Sequence, residues 1–245
     1  MDFIYHYWSF FIIPFLYGMM LLVEFVSQFS RVAGYYLEKN AIGYSLQNAT
    51  LTLTRFFSVL LMPLVGFMID AGFSPEKYII CILISYFLVG FLGGCVYIRR
   101  LAISNFYIKF INSYINNGKM VKSLFTVFRF RKESFEKIEL GSFSINKKYF
   151  LISCFVYSIH ACGVFLTFYF ALISPSHKVM ITQMSGVINA FATILLTFKI
   201  DPALSVAIEK RSDFISAFMS IFIGRIFVFL VTAPVIVVST YIITR

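Results

Sequence analysis

Residues 78–98 read YIICILISYFLVGFLGGCVYI, a run without one charged side chain. As an α-helix rising about 1.5 Å per residue it reaches roughly 30 Å, the thickness of a bilayer's hydrocarbon core. The rest of the chain has too little charge to clothe such a stretch in water: of 245 residues, 60% are hydrophobic and 13% charged, and the mean hydropathy is +0.85. Five further stretches of similar character lie near 9–37, 41–69, 149–173, 178–199 and 214–241. The expected fold is therefore all-α, one polytopic membrane helix bundle over residues 1–245 with about six transmembrane helices. The first two stretches are longer than a bilayer needs and contain Pro14 and Pro63, which predicts tilt or a kink.

The opening MDFIYHYW has no basic region, and the apolar run behind it is too long for a signal peptide, so the first span is expected to stay in the protein. Cys81, Cys95, Cys154 and Cys162 all fall in apolar stretches without paired spacing, as small packing residues would. Neither a metal nor a soluble cofactor is expected, since no His/Cys cluster and no glycine-rich phosphate loop is present.

A net charge of +10 raises the question of nucleic acid, and the placement of that charge answers it. Segment 99–148 carries eleven Lys/Arg against Glu133, Glu136 and Glu139. Putting it in the cytoplasm also puts Lys39, Lys199, Lys210 and Arg211 there, and leaves Lys77, Lys178 and Arg245 outside. That is a strong positive-inside bias. Both termini then face outward, with Tyr5, Tyr7 and Trp8 as an outer aromatic anchor, and the basic charge belongs to membrane lipid, with no nucleic acid partner. Over 119–138, Val121, Leu124, Phe125, Phe128, Phe135 and Ile138 recur at helical spacing among lysines and arginines. This reads as a cytoplasmic amphipathic segment, either a membrane-hugging linker or a collar that gathers anionic lipid.

Charges inside spanning helices cost at least ~2.5–3.5 kcal/mol each near the bilayer centre and ask for a function. Glu24 and Arg31 lie in the first span, Arg55 in the second and Arg225 in the sixth, with Gln28, Asn48, His160, Gln183 and Asn189 as weaker polar points. Counted from the cytoplasmic loops, Glu24 and Arg55 lie roughly 21 Å deep and Arg225 roughly 16 Å. Glu24 and Arg31 are seven positions apart, as are Asn48 and Arg55, so each pair shares a helix face. These groups are expected to line one wet cavity whose three arginines and one glutamate sum to +2. Guanidinium groups donating bidentate hydrogen bonds suit a diphosphate.

Two runs carry a family resemblance: Glu24-Phe-Val-Ser-Gln-Phe-Ser-Arg31-Val-Ala-Gly34, and Ser45-Leu46-Gln-Asn48 followed by Arg55, Pro63, Gly66 and Asp70. With Asp201-Pro202, Leu204-Ser205 and Gly224-Arg225 further on, they resemble the Amj family of bacterial lipid II flippases, alternates to MurJ. Met62 stands where the family's pattern has a glutamine before the proline. The resemblance implies a transporter, not an enzyme, in the bacterial cytoplasmic (inner) membrane. It would move an undecaprenyl-diphosphate-linked saccharide, lipid II or a related lipid-linked glycan, to the outer leaflet. Glu24, Arg31, Asn48, Arg55 and Arg225 are then the candidate substrate-binding residues. A membrane-embedded enzyme on polyprenyl phosphates, an anion or small-solute transporter, and a structural subunit are the competing classes. Six helices are few for enclosing a sugar headgroup, so a homodimer is one expectation. Gly90 and Gly94 form a G-x-x-x-G pair that suits packing within one chain or between two.

Overall fold

The computed structural model describes residues 2–129, 143–211 and 213–245. Six helices are long and apolar enough to cross a bilayer. They are α1 (Asp2–Tyr36), α2 (Asn40–Asp70), α3 (Pro75–Ile98), α6 (Lys147–Ile173), α7 (Lys178–Glu209) and α8 (Phe214–Thr244). Two shorter helices, α4 (Arg100–Asn117) and α5 (Met120–Arg129), intervene. The hydropathy pattern anticipated α5 but not α4. Helix α4 ends at Gly118, whose φ of 64° is the left-handed conformation a glycine adopts freely. Its buried residues Ser104, Tyr107 and Ile111 recur at steps of three and four, with Phe110 beside them, and the helix packs against α1. The remainder of the expected amphipathic helix, 130–138, and the side chains of Tyr5 and Tyr7 lie outside the described residues, while Trp8 is exposed.

Six crossings return the chain to the end at which it started. Lys39, Arg99 and Arg211 are exposed at the opposite end, called the basic end below. There Arg211 pairs with Glu38 at 2.8 Å, joining the α1–α2 and α7–α8 turns. At the far end the Tyr241 hydroxyl donates to Glu76.

Close backbone approach fixes the first hairpin. A Cβ on Gly43 would stand 2.6 Å from the Ser30 carbonyl, and the Ser30 hydroxyl donates to the Gly43 carbonyl at 2.8 Å. Aromatic rings fill the centre, Phe25 against Phe222 at 5.2 Å and Phe29 against Phe218 at 5.3 Å, both edge to face. In the 18-residue apolar stretch of each helix, half of α3 and of α8 is buried, against 11% of α7, so α7 stands at the rim. Gly90 packs within the chain on Leu230, whereas a Cβ on Gly94 would meet nothing within 4 Å.

Sequence reading ends the fifth span near 199 and makes 199–213 a loop; instead α7 runs to Glu209. A π-turn, Leu196–Ile200, carries it across Pro202, and α8 does the same with Val228–Thr232 ahead of Pro234. Proline cannot donate to the carbonyl four residues back and its ring presses on that carbonyl. Widening the preceding turn relieves both problems without ending the helix.

Candidate functional site

Helix α1 offers Glu24, Gln28 and Arg31 at steps of four and three residues, which is one face. That face looks into a cavity of about 100 Å³, lined also by Gln47, Asn48 and Leu51 of α2, Tyr157 of α6, Asp201 of α7 and Arg225 of α8. The cavity lies on the basic-end side of the bundle. Its charges come as two pairs. Arg31 Nη2 donates to Asp201 Oδ1 at 2.7 Å, and Arg225 Nη2 donates to Glu24 Oε2. Both guanidinium side chains are 2% exposed.

Aromatic faces complete the cation sites. Arg225 lies over Phe25 at 4.5 Å and over Tyr157 at 4.6 Å, and Arg31 lies 4.6 Å over Tyr44. Ring quadrupoles stabilise a desolvated cation without neutralising it. The Tyr157 hydroxyl accepts from Gln28 Nε2 at 3.3 Å, which fixes the ring.

Donor capacity is left over. Arg31 Nε and Nη1, Arg225 Nε and the Gln47 carbonyl oxygen are buried without a hydrogen-bond partner. Buried polar atoms are ordinarily satisfied, and each orphan costs about 1–3 kcal/mol. Three orphaned N–H edges on residues that line the cavity leave donor capacity that an anion could use. The paired carboxylates make the empty site neutral overall, so no unbalanced charge is stored in the membrane while it waits, and a bound anion brings net negative charge to it.

Of the five residues singled out from sequence, Glu24, Arg31, Asn48 and Arg225 line this cavity. Arg55 does not. It is exposed on α2, one turn beyond Leu51, where the cavity wall has ended. The expected +2 is corrected as well. Asp201, which was not among the candidate substrate-binding residues, is the partner of Arg31, so two arginines meet two carboxylates. Gln47 and Tyr157 were also missed. Tyr157 and His160, three apart in an apolar helix, were the available signal for α6.

A second, larger cleft of about 450 Å³ opens toward the far end between α2 and α7, with Phe168 of α6 at its back. Asp70, Lys178, Thr182, Gln183, Ser185 and Asn189 give it polar walls.

No solved structure matches this one. A curated relative, "Lipid II flippase Amj" of Bacillus subtilis (strain 168), is 26% identical over 210 residues, covering 78% of each chain. The family model described as "Amj: Alternate to MurJ" matches residues 16–233, from the first span through to the last. That match takes in both ion pairs and the helices that carry them, and the chain belongs to the Amj family.

Proposed function

We propose that this multi-pass membrane protein is a flippase. It carries an undecaprenyl-diphosphate-linked saccharide, lipid II or a closely related lipid-linked glycan, from the inner to the outer leaflet of the bacterial cytoplasmic membrane. The basic end lies in the cytoplasm and both termini lie outside, as the distribution of Lys and Arg favours. The observation that carries the reading is the buried pair of arginines with unsatisfied N–H edges on one cavity. The relative's name supplies the lipid.

The chemistry follows from how a guanidinium shares its donors. Each offers five N–H groups in a planar fork. Asp201 takes Arg31 through Nη2, which leaves Nε and Nη1 for phosphate oxygens, and Arg225 keeps Nε beside its bond to Glu24. A diphosphate can therefore be held in addition to the carboxylates rather than instead of them. The carboxylates weaken the grip by repulsion, so the same site that admits the headgroup can release it. Asn48, exposed and on the cavity wall, stands at its mouth. About 100 Å³ is small against the roughly 300–1,000 Å³ of ordinary ligand pockets. The headgroup thus enters only when the cavity widens, and α7, with little of its surface buried and a π-turn at the cavity, is the wall best suited to move. A second copy closing over the cleft is the other arrangement that would enclose a large saccharide.

The test is rescue of cells depleted of their own lipid II flippase, with surface labelling of lipid II as readout. The wild-type chain rescues; Arg31→Gln and Arg225→Gln insert normally and do not. Thin-layer analysis finds the lipid chemically unchanged, as it would not be with an enzyme. Failure of the wild type to rescue, or rescue by both variants, overturns the reading. Rescue instead of an O-antigen or capsule flippase mutant reassigns the glycan.

A further inference from the structure

Two cavities stand at either end of one seam. On α2, Asn48 and Leu51 line the ion-paired cavity and Met62 and Gly66 line the far cleft. On α7, Leu196 and Ile200 line the first and Gly186 and Asn189 the second. The sequence between them keeps the same register. Along α2, positions 48, 51, 55, 58, 62 and 66 advance by three or four, and along α7 so do 186, 189, 193, 196 and 200. The α2 stripe places Arg55 and Ser58 between the cavities, and the α7 stripe places Thr193 there. In an apolar chain, each of these sets a polar group on an otherwise lipid-compatible wall.

A third helix, α6, packs against α7 along this stretch, with Gly163 against Ile188. His160 of α6 has its Nδ1 buried without a hydrogen-bond partner. Arg55 is exposed on the seam, and no ion pair among the described residues involves it. It holds a cation a little beyond the wall of the first cavity, on the path to the second.

We propose that the far cleft is a second headgroup site, one that binds the hydroxyl-rich saccharide before release, and that the headgroup reaches it along the α2–α7 seam past Arg55 while its lipid chain stays in the bilayer. The cleft is built for neutral polyols rather than for a diphosphate. Gln183 and Asn189 offer amides that both donate and accept, Thr182 adds a hydroxyl, and Asp70 and Lys178 contribute one charge of each sign. Its volume, about 450 Å³, lies within the usual range for a bound small molecule, whereas the first cavity fits little more than the phosphates. The proposal rests on the flippase reading and adds the place where the sugar leaves.

The experiment uses the full chain in proteoliposomes with lipid II bearing a photoreactive group on its saccharide. Irradiation is expected to label peptides containing 62–70 and 178–189, besides those of the first cavity. Gln183→Leu with Asn189→Leu removes that label. It lowers the flipping rate by about ten-fold, the order expected for losing a pair of hydrogen bonds. Arg55→Gln lowers the rate while leaving the label at the first cavity. Both variants put lipid-compatible or neutral residues on an exposed wall, and insertion level checks that they fold. A wild-type protein that does not flip defeats the flippase reading itself. A wild type that flips but labels only the first cavity, or a Gln183/Asn189 double variant that flips normally, defeats this inference and leaves that reading standing.

Discussion

Replacing Glu24 by Gln leaves the Arg225 guanidinium, 2% exposed, without its carboxylate. Removing one member of a buried pair costs about 3–5 kcal/mol because the other charge stays behind uncompensated. The glutamine amide oxygen still accepts one N–H and returns about 0.5–1.5 kcal/mol. The phenyl ring of Phe25 and the phenol of Tyr157 hold the cation in both forms and cancel from the difference. The single variant should therefore lose roughly 2–4 kcal/mol of stability. Replacing both partners, Glu24→Leu with Arg225→Met, removes the stranded charge, and such exchanges are often neutral or stabilising by about 1–4 kcal/mol. The double variant should then unfold close to the wild type while failing to flip lipid. Unfolding in lipid nanodiscs measures the first quantity, and appearance of fluorescent lipid II on the outer leaflet of proteoliposomes measures the second. Wild-type flipping by the double variant would make the pair a packing device only and refute the role given to it here. A double variant as unstable as the single would refute the energetic account.

Arg31→Lys keeps the charge but not the fork. It should preserve a contact with Asp201 yet weaken retention of a soluble diphosphate by about ten-fold, read by calorimetry on the purified protein. Gly43→Val places branched carbon against the Ser30 carbonyl and should cost at least about 1–3 kcal/mol of thermal stability. Gly94→Ala, with nothing within 4 Å, should be silent in the same melt. Pro202→Ala removes the reason for the π-turn at Leu196–Ile200. A regular helix there turns Asp201 away from Arg31, so flipping should fall although the span itself gains helix propensity. Equal flipping with a regular helix would show that the bulge is dispensable.

The spans were legible because hydropathy over a twenty-residue window is a strong signal and bilayer thickness a sharp constraint. Helix continuity past Pro202 was not. Lys199, Asp201 and Pro202 read together as a helix end and the loop behind it, and only the widened turn reconciles proline with an unbroken helix. The same misreading hid Asp201, since an acid beside a proline resembles a cap until its partner 170 positions away is seen. Buried charges on α1 and α8 were legible because they are costly there. Arg55 shows the limit of periodicity: spacing gives the azimuth of a side chain, not whether a neighbouring helix walls it in at that height. Helix α4 was missed because its mixed polar and aromatic composition carries neither a membrane-length run nor a clean amphipathic stripe.

The long reach of the two ion pairs bears on how the protein is made. Glu24 and Arg31 leave the ribosome on the first helix, and their partners follow 201 and 170 residues later. At about 5–20 residues per second, Glu24 waits roughly 10–40 s for Arg225. Throughout that interval the nascent first hairpin holds a carboxylate and a guanidinium whose mates do not yet exist. A chain truncated before its last two spans keeps them that way, and ought to be recognised as unfinished and degraded rather than accumulate as a stable fragment.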